Sequence, residues 1–148
     1  MPKVITDTSC LIVLSNIGQV DILCKLYKTI SITPEVAAEF GEVLSEWVYT
    51  TPVADPLKTR MLQNDLELGE ASTIALAVET PESLLILDDK KARRVAADLG
   101  LPLTGTLGVI AKAYRTGVIT DIAEVMAELR QSNFRIPHDF ERIILNSR

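Results

Sequence analysis

The chain has 148 residues, 47% of them hydrophobic, with only seven glycines and seven prolines, which excludes a disordered or collagen-like protein. A net charge of −5 and a pI of about 4.9 exclude a protein that grips nucleic acid by a broad basic surface, but not one that acts on a phosphodiester at a metal site. The length fits a single domain over residues 1–148. Cys10 and Cys24, the only two cysteines, sit in apolar segments, so buried thiols in a reducing cytoplasm are expected rather than a disulfide framework. His138 is the only histidine, which excludes a His-rich zinc site. No uncharged stretch reaches the roughly 18 residues of a membrane span, so a soluble cytoplasmic protein with no membrane partner is expected.

Lys3 to Thr6 is a short β-prone run stopped by Asp7-Thr8-Ser9, residues suited to a helix N-cap, and an apolar helix follows. Gln19 to Tyr27 has helical spacing, and Thr29 to Thr33 alternates as a second strand. Pro34 opens a helix whose stripe continues through Val36, Ala37, Phe40, Val43 and Leu44. Trp47 to Pro56, with two prolines, suits an extended connection or edge strand. Leu57 to Leu66 is predicted helical, Gly69 interrupts, and Glu70 to Glu79 forms a mostly buried helix. Leu84 to Leu87 is a continuous apolar run, as in a central parallel strand covered on both faces. Lys90 to Leu99 is then a helix closed by Gly100, Leu101 to Leu103 a last short strand, and Thr104-Gly105-Thr106 a turn before a helix to Thr116. Two further helices are predicted over Asp121 to Arg130 and Pro137 to Asn146. Strands alternating with helices imply an α/β fold with a parallel sheet and helices on both sides.

Ligands of such sheets bind beyond the carboxyl ends of the strands, and there this sequence places Asp7 and the pair Asp88-Asp89. Taken singly, each of these acids is as readily a cap or turn residue. Glu39 lies on a helix that follows a strand end, and Glu70 lies in the first turn of an apolar helix. Acids gathered without counter-cations repel and raise one another's pKa, a conflict that a divalent ion removes. Oxygen ligands without His or Cys suit Mg²⁺ or Mn²⁺. Lys90, Arg93 and Arg94 share a helix face after the acid pair and can meet an RNA backbone, with Lys112 and Arg115 as a second basic pair. Aromatics make up 5% of the chain, too few to predict a base-stacking platform.

VITDTSCLIVLSNIG, ITPEVAAEF, LELGEASTIALA, LLILDDKKARRVA and LPLTGTLGVIAKAYRTGVI resemble, in order and over nearly the whole chain, the successive motifs of PIN-like proteins of the DUF3368 branch. The resemblance implies a three-layer α/β/α sandwich around a central parallel sheet and a metal-dependent ribonuclease of the VapC-like toxin kind. By motif, Asp7, Glu39 and Glu70 match family acids. The offset of the last acid favours Asp89, with Asp88 as the alternative because Leu87 replaces a common Thr. The resemblance makes Asp7, Glu39, Glu70 and Asp89 both metal-binding and catalytic and Asp88 a further metal ligand, and Thr8 or Ser9 would contribute a hydroxyl or backbone N–H to the site. The family further implies an RNA substrate and a small antitoxin partner, and the C-terminal helices leave some apolar surface for that partner or for a homodimer. Glu70 stands where better-known relatives carry Asp, which keeps a catalytically degenerate PIN-like binding module as the alternative. A phosphorylated receiver domain would want an acid pair after the first strand and a lone Asp after a middle one, the reverse of this chain.

Overall fold

The computed structural model describes residues 2–147. Five strands form one parallel sheet: β1 (Lys3–Thr6), β2 (Ile30–Ile32), β3 (Val48–Thr50), β4 (Ser83–Ile86) and β5 (Leu103–Thr104), in the order β3-β2-β1-β4-β5. Side chains alternate across a strand. Val4 and Ile86 therefore enter one apolar core, and Ile5, Leu85 and Leu87 the other. With both faces apolar, the sheet needs helices on both sides.

The first core is completed by α1 (Thr8–Asn16), α2 (Asp21–Tyr27), α7 (Thr106–Arg115), α8 (Ile122–Gln131) and α9 (Phe140–Leu145). The second is built on α5 (Leu68–Glu79) and α6 (Lys90–Asp98), with Leu62 at the end of α4 (Pro56–Leu62) packed against it. The result is a three-layer α/β/α sandwich. Cys10 is buried and Cys24 half-buried, and both thiols are free. No single described helix is long and apolar enough to cross a membrane.

Predicted boundaries move in several places: the last strand is shifted to Leu103–Thr104, and the helix expected from Pro137 begins at Phe140. The helix begun by Pro34, α3 (Pro34–Phe40), stops at Gly41, whose φ of +68° is a left-handed C-cap, and Val43 is left 99% exposed rather than continuing the stripe. The helix expected to Leu66 ends at Leu62, after a start in which Asp55 accepts a bond from Leu57 N–H at 3.1 Å. Gly69 does not interrupt anything: α5 runs through it, and its missing side chain serves a contact described below.

From β1 the chain builds outward to β2 and β3, then crosses back so that β4 pairs with β1 on the opposite side. Successive connections thus diverge at the carboxyl ends of β1 and β4, where a crevice forms. Asp7 and Asp88 lie just past those two ends.

Candidate active site

Asp7 leaves β1 with its backbone N–H bonded to the Ile86 carbonyl at 3.3 Å, which holds it against the end of β4. It occupies the N-cap position of α1, yet its side chain makes no capping bond. The residue is only 3% exposed, and its Oδ1, like the neighbouring Thr8 Oγ1, has no hydrogen-bond partner among the described residues. Buried polar atoms are nearly always paired, so this carboxylate oxygen is left for a water or a cation. Burial, and next the charges of Asp88 and Glu70, push the Asp7 pKa from 3.8 up to about 7, only partly offset by the backbone N–H groups of Cys10 and Ser9.

The adjacent acids after β4 have different roles. Asp88 is clamped: Oδ1 accepts from Thr106 N–H at 2.7 Å, while Oδ2 accepts from Thr106 Oγ1 at 2.6 Å and Ser9 Oγ at 3.0 Å. It thereby ties the starts of α1 and α7 together beside Asp7. Asp89 is exposed and caps α6, its Oδ2 accepting from Ala92 N–H at 2.9 Å. Its charge acts instead on Glu70, whose pKa is raised by burial first and by Asp89 next.

Glu39 and Glu70 arrive on α3 and α5. Thr33 caps α3 by accepting from Val36 N–H at 3.2 Å, and its hydroxyl meets Ser72 Oγ of α5 at 2.7 Å, locking the two helices together. The Glu39 carboxylate then lies where a Cβ on Gly69 would stand. Gly69 is therefore a space requirement and not a helix breaker. A cavity of about 150 Å³ is lined by Asp7, Thr8, Ser9, Glu39 and Glu70, together with Glu67. Glu67, which precedes Glu70 by one helical turn in LELGE, was legible only from that spacing. A second cavity of about 350 Å³ continues past Glu67 and Glu70 to Asp89, Asp65 and Lys91.

None of these site carboxylates enters an ion pair among the described residues. Nor do any three of them approach closely enough to cage one ion. Like charges without a cation repel, and Asp88 and Asp89 are held by hydroxyl and amide donors. The donor set itself fits a hard divalent cation: oxygen only, uncompensated, with one buried oxygen lacking a partner. Mg²⁺ commonly keeps several waters and takes one or two carboxylates, so it does not require a compact protein cage.

The basic residues separate. Lys90 and Arg93 line a larger cavity next to Asp88, whereas Arg94 is exposed on α6 and does not line it. Arg93 is anchored by a 2.7 Å bond from its guanidinium to the Leu87 carbonyl. Three residues of that cavity, Phe134, Arg135 and Pro137, come from the segment between α8 and α9. Lys112 is taken up by the Tyr27 ring, 4.7 Å from its centroid, on the part of α7 away from the cleft.

A parallel sheet with an acid-lined crevice at its switch point defines an α/β protein whose cleft gathers uncompensated carboxylates. The family model for DUF3368, a PIN domain, matches residues 3–147, and the chain belongs to this family. PIN domains are generally nucleases that use divalent metals. A comparison with curated proteins returned no match.

Proposed function

We propose that this PIN domain is a Mg²⁺- or Mn²⁺-dependent endoribonuclease. The observation that carries this reading is the buried, unpartnered Oδ1 of Asp7 in a cavity walled by further uncompensated acids. Asp7 would hold the ion through that oxygen, and Glu39 and Glu70 would hold it from the facing walls, directly or through water. Asp88, steadied by Thr106 and Ser9, would stand beside them, with Asp89 on the outer side near Glu70. When bound, such an ion orients a water, lowers its pKa and offsets charge on the phosphate.

The residues of the chain do the remaining work. Asp7, whose burial raises its pKa to about 7, would be the residue to release a proton when a cation is held there. The Thr106 and Ser9 hydroxyls keep Asp88 in place, and Thr33 with Ser72 keeps the Glu39 helix seated on α5. The resemblance to VapC-like toxins supports RNA as the substrate, a cytoplasmic toxin as the biological role, a small antitoxin protein as the partner and a homodimer as the assembly.

A second reading, a PIN domain that binds a partner without cleaving RNA, draws on the absence of a close three-carboxylate group among the described residues. Calorimetric Mn²⁺ titration of the wild type and Asp7→Asn, followed by cleavage assays on structured and single-stranded RNA, separates the two. Loss of both binding and cleavage in the variant supports the nuclease. Metal bound by the wild type without cleavage of any RNA favours the binding module, and no metal binding by the wild type refutes the proposed site.

A further inference from the structure

The three cavities around the crevice differ sharply in charge. The two described above are lined by Asp7, Glu39, Glu67, Glu70, Asp65 and Asp89, with Lys91 as their single base. The third, about 640 Å³, has the opposite balance: Lys90, Arg93 and Arg135 against Asp88 alone. In a chain of net charge −5 this is a local reversal at the mouth of an acid site. It lies between the start of α6, the turn from β5 into α7, and residues 134–137.

Its shape depends on local chemistry. Arg93 spends one N–H on the Leu87 carbonyl and takes part in no ion pair among the described residues, so its fork is pre-placed with further donors. Gly105 sits in extended backbone that any residue adopts, yet a Cβ there would meet the Arg93 guanidinium at 2.8 Å and Asp88 Oδ1 at 3.0 Å. Glycine at this position lets a guanidinium and a carboxylate share the inner end of the cavity. Phe134 packs against the core and also lines the wall. The volume falls within the roughly 300–1,000 Å³ of small-molecule sites, enough for a nucleotide.

We propose that this cavity seats the nucleotide next to the scissile phosphate of a single-stranded RNA, with Arg93, Arg135 and Lys90 on backbone phosphates and Phe134 against the base. The proposal rests on the nuclease reading and extends it to Arg135 and Phe134. A single strand is required because only an unstacked base can enter such a site. The acid-lined cavities repel the backbone, so the strand leaves the metal centre toward Arg135.

The test uses full-length Asp7→Asn protein, which keeps this cavity, and measures binding of a short fluorescent single-stranded oligoribonucleotide by polarisation over a range of salt. Adding Arg135→Ala should weaken binding about tenfold and reduce the log–log salt slope by about 1. Phe134→Leu, conservative enough to retain the core, should weaken binding several-fold with the salt slope unchanged. Lys25→Ala, exposed on α2 and outside the lining of the three cavities, should change neither, and circular dichroism melting checks that each variant is folded. Unchanged affinity in folded Arg135→Ala, or an equal loss in Lys25→Ala, overturns the proposal. RNA held through Arg135 by a wild type that neither binds Mn²⁺ nor cleaves would support the seat while removing the nuclease reading.

Discussion

Replacing Asp7 by Asn should stabilise the metal-free protein at neutral and higher pH while abolishing metal binding. Asp7 is buried with an unpaired oxygen, and its pKa rises from 3.8 to about 7 on folding. A carboxyl whose folded pKa lies above its unfolded value favours the fold when protonated. Its contribution is intact below about pH 4 and is lost progressively as pH rises to about 7. At about 1.4 kcal/mol per tenfold change in proton affinity, that span amounts to an upper bound of about 4 kcal/mol at pH 8. Glu70, raised for the same reasons, adds in the same direction. Asn keeps the shape without the charge, so the two proteins should match near pH 4 and diverge by a few kcal/mol near pH 8, the variant being the more stable. Urea unfolding in chelator across this range, monitored by circular dichroism, reads the difference directly. Saturating Mn²⁺ should then raise the wild type and leave the variant nearly unchanged. Parallel pH curves for the two proteins would refute the claim that Asp7 is buried and uncompensated.

Gly69→Ala should leave the fold as stable or more stable by about 0.5–1 kcal/mol through helix propensity, yet weaken Mn²⁺ binding by displacing the Glu39 carboxylate. Unaltered affinity in calorimetry would show that Glu39 plays no part in the site. Thr106→Val keeps the backbone bond to Asp88 but removes the 2.6 Å hydroxyl donor, and should cost about 1.5–3 kcal/mol in urea unfolding along with RNA cleavage. Mn²⁺ binding at about pH 7 should release on the order of half a proton from Asp7 in the wild type and none from that position in Asp7→Asn. Calorimetry in buffers of different ionisation enthalpy measures this release, and equal release from both proteins would assign the proton elsewhere.

Much of the sandwich follows from local order. Apolar runs of strand length ending in Asp7 and in Asp88-Asp89, each followed by a helix, are enough to put acids at the carboxyl edge of a parallel sheet. Alternation and capping are properties of neighbouring residues, and neighbours are what a sequence displays. Gly41 and Gly69 show where that information ends. Both follow helical patterns, but the first stops a helix through its own positive φ, whereas the second lies inside one because a carboxylate thirty residues earlier needs its space.

Asp88 and Asp89 are equivalent as letters and unlike in space. Thr106 and Ser9, 18 and 79 residues away, clamp the first, while the second caps its own helix. Arg135 and Phe134 could not be assigned to the cleft from their surroundings in the chain, since only the packing of α8 and α9 brings residues 134–137 back to the end of β4. The sequence by itself determined which acids stand at the sheet edge, because strand, turn and helix are written within a few residues. The tertiary structure alone decided which acid each one faces and which bases line the way in, because those choices depend on contacts between segments far apart in the chain.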